Sequence, residues 1–206
     1  MIFEDRRHAG QLLAEKLKPI IKEPAIIYAL PRGGVILGRE IAQVFGMPLD
    51  ILIPRKIGHP FNDEFAVAAV SEDGKVVDEG NDVISYEQDW FRQAVEREVK
   101  EAARRRQLYV GGRPPKNPAG KTAVIVDDGI ATGLTMLAAF RQAEALKPER
   151  IIVAVPVTPS DSAEFLRKAG VEVVALNEDP QFAGSVGTYY REFPQISDEE
   201  VIKALS

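Results

Sequence analysis

The chain reads as an α/β protein built on a doubly wound parallel sheet. Three observations predict this: β-branched runs alternate with helix-period stretches, the runs carry apolar residues at consecutive positions instead of every second one, and each gives way abruptly to glycine, proline or charge. The runs are Ala25–Leu30, Leu49–Pro54, Lys121–Asp127 and Arg150–Val155. Strands apolar on both faces need cover on both faces, so helices flank the sheet and ligands meet it at the strands' carboxyl ends.

Residues Asp5 to Leu17 set Ala9, Leu12, Leu13 and Leu17 on one helical stripe, with Asp5 placed to cap it and Pro19 to end it. Helical stretches Gly34–Phe45 and Leu134–Leu146 follow the first and third runs. Between the second and third, Phe65–Val70 and Lys75–Asp78 flank the turn Glu72-Asp73-Gly74, an inserted β-hairpin and a candidate flap. Ser85-x-x-Gln88 has the form of a capping box, opening a long helix to about Tyr109 with Ala94, Val95, Val99, Ala102 and Ala103 inward. Arg104-Arg105-Arg106 in its last turns complements the helix dipole and reads as a solvated end. Gly111 to Gly120, with three prolines, is a stiff loop. A helix at Asp161–Lys168, a strand at Val171–Leu176, an irregular segment Asp179–Pro194 and a terminal helix from Asp198 complete the chain.

At 206 residues and 45% hydrophobic, the chain can bury one substantial core but not two full-sized domains. A net charge of -5 provides no overall basic field for a nucleic acid, so any phosphate must be gripped locally. With no cysteine and only His8 and His59 as histidines, disulfide frameworks, thiolate zinc and His-rich metal sites drop out. No apolar leader opens the sequence and no apolar run is long enough to span a membrane, so a cytoplasmic protein is expected.

Chemistry concentrates at Asp127-Asp128-Gly129-Ile130-Ala131-Thr132-Gly133-Leu134-Thr135. Gly129 and Gly133 let the backbone curl so that amides and a helix N-terminus converge on one phosphate, with Thr132 and Thr135 adding hydroxyls. Two adjacent carboxylates at a strand end repel each other, and accepting hydrogen bonds from the vicinal hydroxyls of a ribose would relieve both. Helix capping by the acids and an ordinary tight turn are the plainer reading, but that reading leaves the combination unexplained. Neither a Walker loop nor a dinucleotide fingerprint occurs.

This stretch resembles the signature of type I phosphoribosyltransferases, which implies that Asp127 and Asp128 hold the ribose hydroxyls of 5-phosphoribosyl 1-pyrophosphate (PRPP). The resemblance likewise gives the 5-phosphate to Gly129, Ile130, Ala131, Thr132, Gly133, Leu134 and Thr135. Leu30-Pro31-Arg32-Gly33-Gly34, where a strand stops and paired glycines admit a close approach, looks like the family's pyrophosphate loop, with Pro31, Arg32 and Gly33 at the leaving group. The second strand is read as ending Pro54-Arg55-Lys56, bringing Arg55 and Lys56 to the same edge as further pyrophosphate anchors. Gly58 to Glu64 resembles a mobile catalytic loop, in which His59 is an ordinary loop residue.

Together with Phe3-x-Asp5-Arg6-x-x-Ala9-Gly10 and the segment Phe182 to Tyr190, these motifs resemble a bacterial branch of phosphoribosyltransferases of unassigned substrate, over nearly the whole chain. The resemblance implies one domain over residues 1–206, with a core at 20–160 and a small hood from 1–19 and 177–206. It also implies a pentosyltransferase that uses Mg2+, releases pyrophosphate and forms a homodimer. Catalysis is expected to fall to Asp127, Asp128, Arg32 and Lys56, with magnesium held mainly by PRPP and reached by the acids. The acceptor is expected to be a nitrogenous compound such as a nucleobase, under a hood carrying Phe182, Tyr189 and Tyr190. Ala131 stands where 6-oxopurine enzymes usually place Asp, which argues against hypoxanthine or guanine. The rival reading is a regulator that binds PRPP without turning it over.

Overall fold

The computed structural model describes residues 1–21, 24–78 and 88–206, and the side chains of residues 63–65 are excepted throughout. Helix α1 (Arg6–Leu17) leads into β1 (Ala25–Ala29), α2 (Gly34–Phe45) and β2 (Leu49–Ile51). Strands β3 (Arg55–His59), β4 (Asn62–Val70) and β5 (Val76–Asp78) follow, then α3 (Gln88–Val110) and β6 (Thr122–Val126). Helix α4 (Leu134–Ala145), β7 (Arg150–Pro159), α5 (Ser160–Lys168), β8 (Glu172–Asp179) and α6 (Asp198–Leu205) end the chain.

The predicted doubly wound sheet is present: five parallel strands run in the order β2-β1-β6-β7-β8. Every residue of β1 and β6 is buried, which is why their sequences show no alternation. Ile27, Val124, Val126 and Ile152 face α1 and α2, through Leu13, Leu17, Leu37 and Ile41. Their neighbours Ile26, Tyr28, Ile125 and Val153 face the other way, onto Met136, Phe140, Ala163 and Leu166 of α4 and α5. Each such side chain withdrawn from water contributes roughly 1.5–3 kcal/mol, so the two apolar faces fix strand register as well as stability. The order places β2 on one side of β1 and all later core strands on the other. The sheet therefore has its switch point between β1 and β6, where the chain leaves the two strands in opposite directions and opens a crevice.

Asp5 caps α1 as expected, its Oδ1 accepting from the His8 amide at 2.8 Å. The inserted hairpin is found as β4–β5, but it belongs to an antiparallel three-stranded sheet that also takes in β3. This corrects the reading of the second core strand, which ends at Ile51: Arg55 and Lys56 open β3 in the small sheet and do not extend β2. A three-residue core strand bordered by a second sheet looks, in sequence, like one longer apolar run. The segment expected to be a loop is also mostly strand, with Gly58 and His59 in β3 and Asn62 opening β4. The capping-box residue Ser85 lies outside the described residues.

Helix α3 covers the small sheet with Ala94, Val95 and Val99, whereas Ala103 is exposed. Arg104 pairs with Glu101 at the helix surface. Arg106, expected to be solvated, is buried: it pairs with Glu72, and its Nη1 and Nη2 donate to the carbonyls of Arg113 and Ile51 at 2.9 and 2.7 Å. The two ends of the chain meet, with the Phe3 amide donating to Tyr189 O and the Arg191 amide to Phe3 O, both at 2.8 Å. Among the described residues no helix is long and apolar enough to cross a membrane.

Candidate active site

The crevice between β1 and β6 is closed by main-chain contact. The Leu30 amide donates to Val126 O at 2.9 Å, and the next turn carries Pro31, Arg32 and Gly33 against the acids that follow β6. The Pro31–Arg32 peptide is cis. A Cβ on Gly33 would stand 1.9 Å from Asp128 Oδ2, so only glycine lets the two turns lie side by side. The glycine pair therefore serves the approach of one turn to the other.

Asp127 and Asp128 are both half-buried, yet their surroundings differ. Asp127 Oδ1 accepts from the Asp128 amide at 2.8 Å and makes no ion pair among the described residues. Asp128 Oδ2 accepts from Arg6 Nε at 2.7 Å, and its carbonyl accepts from the Tyr190 hydroxyl at 2.6 Å. Burial, joined by repulsion from Asp128, holds the Asp127 carboxyl well above the usual carboxylate range. Burial raises Asp128 too, opposed by the Arg6 guanidinium. Burial also pushes up the Tyr190 hydroxyl, with the Asp128 carboxylate adding to the shift, so that residue stays a hydrogen-bond donor.

The turn after the acids is wound for ligand contact. Gly133 sits at φ 91°, a left-handed conformation that costs glycine little, and opens α4. A Cβ on Gly129 would come within 2.5 Å of Val186. The Ile130 amide is taken by Val157 O at 2.9 Å, and Ser162 Oγ donates to Ala131 O at 2.6 Å, pinning the turn from below. No acceptor among the described residues takes the amides of Ala131, Thr132 or Gly133, and the first amides of α4 have none within a helix. The turn thus offers a cluster of unspent donors beside two carboxylates.

A cavity of about 470 Å³ opens over it, lined by Asp127, Gly129 to Gly133 and Thr135, by Lys56 and Ala66 of the small sheet, and by Gly184 and Val186. The remaining predicted site residues are not brought there. Leu134 is buried against Ala138 and offers only its main chain. Arg32 reaches towards Asp198, 3.8 Å away, and Asp198 also accepts from the Tyr109 hydroxyl at 2.6 Å. Arg55 is held by Glu98 of α3 at 3.0 Å. Tyr189 and Tyr190 are buried, with hydroxyls committed to Asp179 and the Asp128 carbonyl, so neither offers a ring face to an acceptor. Phe182 stacks on Tyr189 with ring centres 5.3 Å apart. Composition alone cannot separate an aromatic that packs from one that waits for a ligand.

Arg6 and Val186 touch the site unforeseen. Arg6 had a signal: positions 6, 9, 10, 13 and 17 fall on one stripe of α1, so a residue one turn before Ala9 points inward. Val186 had none, because its approach to Gly129 depends on how the last segment folds back.

An acid pair and an amide-rich turn at the switch point of a doubly wound sheet define an α/β protein built to take an anionic ligand at its strand ends. The chain belongs to the phosphoribosyl transferase family, whose domain profile matches residues 3–191. It is 39% identical over 207 residues to Rv0571c of Mycobacterium tuberculosis (strain ATCC 25618 / H37Rv), provisionally named a phosphoribosyl transferase, a match covering 99% of this chain and 46% of that protein. The chain thus spans about half the length of the curated relatives it matches. TT1426 from Thermus thermophilus superposes with a TM-score of 0.84 at 41% identity, covering 100% of this chain and 98% of that one. AQ2163 from Aquifex aeolicus, with a TM-score of 0.50 and 15% identity over 84% of this chain and 74% of its own, shares the fold.

Proposed function

We propose that the protein transfers ribose 5-phosphate from PRPP to a nitrogenous acceptor, a nucleobase or related compound, with release of pyrophosphate. The observation that carries this is the cavity in which Asp127 faces the unspent amides of Ala131, Thr132 and Gly133. A terminal phosphate fits the amides and hydroxyls of residues 129–135, and sugar hydroxyls fit a carboxylate. In this reading the acceptor nitrogen attacks the anomeric carbon. The C–N bond forms as the C–O bond to pyrophosphate breaks, pyrophosphate leaves with the electron pair, and the nitrogen gives up its proton to water. The transition state resembles an oxocarbenium ion, and its positive charge develops beside Asp127.

The residues present suit a magnesium ion that arrives with its ligand. Asp127 is a shielded carboxylate without an ion pair among the described residues, and no three His, Cys, Asp or Glu side chains there are grouped to form a cage. Asp127 would meet such an ion through the ribose hydroxyls or water, and Asp128 would have to part from Arg6 to join it. When bound, magnesium neutralises charge on the leaving group. Lys56, on the cavity wall, supports the pyrophosphate. Arg32 and Arg55, directed to Asp198 and Glu98, would have to exchange those partners to join it. The domain extends over residues 1–206, with the core at 20–160 and the chain ends as hood; the functional unit is a cytoplasmic homodimer, which sizing tests.

The deciding experiment mixes protein, Mg2+ and PRPP with a panel of bases and amines and follows pyrophosphate release. Release that depends on one acceptor is expected. Binding of PRPP without turnover for any acceptor would make the protein a sensor, and failure to bind PRPP would end the assignment.

A further inference from the structure

Arg6 is held by groups that belong to the site and to the last segment of the chain. Its Nε donates to Asp128 Oδ2 at 2.7 Å, its Nη1 donates to Pro194 O at 2.7 Å, and its guanidinium lies 3.7 Å from the centre of the Phe193 ring. Arg6 is 8% exposed, so these contacts operate with little water between them. The partner carboxylate is fixed from its own side as well, by the Tyr190 hydroxyl on its carbonyl and by the close pass of Gly33. Asp127, one residue earlier, lines the cavity, whereas Asp128 does not. The acid pair is thus split by its surroundings, although the sequence presents two equivalent carboxylates.

We propose that Arg6 is a positioning residue that makes the acid pair asymmetric: it claims Asp128 and neutralises it, leaving Asp127 as the carboxylate offered to the sugar. The proposed donor carries several negative charges, and a second ionised carboxylate beside Asp127 would repel it through a poorly screened medium. Neutralising one member keeps a hydrogen-bond acceptor for the ribose hydroxyls without doubling the repulsion. Because Arg6 also holds Pro194 and Phe193, the same contact ties the end of the hood segment to the turn that follows β6. The claim rests on the reading of the cavity as a PRPP site.

Calorimetric titration of Mg2+–PRPP into the full chain tests it, using wild type, D127N, D128N, R6M and R6M/D128N, each checked for cooperative unfolding. The first-named loss is the largest: D127N is expected to lose about 100-fold in affinity, as for removing charge from an acceptor that hydrogen-bonds the ligand, and D128N less than about 10-fold. R6M is expected to bind about 10-fold or more weakly, because it leaves the half-buried Asp128 charge without its counter-ion. In R6M/D128N, where no buried charge is stranded, affinity returns to that of D128N, a rescue that a purely structural arginine would not give. The double variant also guards against R6M failing to fold. Wild-type protein that does not bind PRPP overturns the functional reading and this proposal with it. Wild-type protein that binds, while D128N falls as far as D127N or R6M/D128N binds no better than R6M or than unfolded protein, overturns the role of Arg6 alone.

Discussion

At Asp127 the fold holds a carboxylate where burial, and after it the charge of Asp128, disfavour ionisation. The folded protein therefore holds that proton more tightly than the unfolded chain does. The cost to stability is complete above the raised folded value and vanishes as pH falls to the ordinary carboxylate value. D127N, which keeps an oxygen for the Asp128 amide, is expected to raise the unfolding midpoint at neutral pH, by about 2–4 °C for each kcal/mol recovered in a chain of this size. The gain should shrink as the pH is lowered through the acid range, while PRPP affinity is lost at every pH. Thermal scans from acid to neutral pH check the sign: a midpoint unchanged or lowered at neutral pH would mean that Asp127 carries no such penalty. A stability gain joined to a functional loss is what a residue kept for its ligand should show.

Between elements, the most committed polar contact is Arg106. From α3 it joins Glu72 in the turn before β5, the end of β2 through Ile51 O and the loop after α3 through Arg113 O, so one side chain ties the small sheet to the large one. R106M is expected to cost about 3 kcal/mol in chemical unfolding, because Glu72, 11% exposed, loses its counter-ion and keeps only the Ile53 amide and Gln142 as hydrogen-bond donors, and R106M/E72Q should recover much of it. If the single variant loses under about 1 kcal/mol, solvent reaches Glu72 and the contact is a surface one. At this scale the sequence was legible where one element settles its own fate. Helix α2 shows its start at the glycine pair and its end at Gly46, and β1 and β6 show their burial as unbroken apolar runs. It was illegible where two elements decide jointly. Whether Arg55 extends β2 or opens β3 depends on pairing with Val70, and whether Arg106 is wet or dry depends on Glu72 arriving from a distant turn. The acid pair and its glycine turn were legible because their chemistry is local. The split between Asp127 and Asp128 was not, because it is imposed by Arg6 from 122 residues away.

Over the whole molecule, the chain's two ends close on each other beside the site. Phe3 is fully buried, lies with its ring centre 5.2 Å from that of Tyr190, and carries main-chain hydrogen bonds to Tyr189 and Arg191. Since Arg6 follows three residues later, at the start of α1, loosening Phe3 should be felt at Asp128. F3A is expected to cost about 3–5 kcal/mol of stability in chemical denaturation and to weaken PRPP binding even when measured well below the unfolding midpoint. Full affinity in a folded F3A protein would show that the ends support the scaffold without reaching the acid pair.

The small sheet gives the molecule a further property. Lys56 belongs to the wall of the Asp127 cavity and also to that of a second hollow, where its neighbours include Arg55, Pro60 and Trp90. Trp90 is the sole tryptophan in the chain. Whatever seats itself against Lys56 on one side therefore disturbs the surroundings of a single indole on the other, and unlabelled protein should announce its ligand by a change in ultraviolet emission that W90F silences.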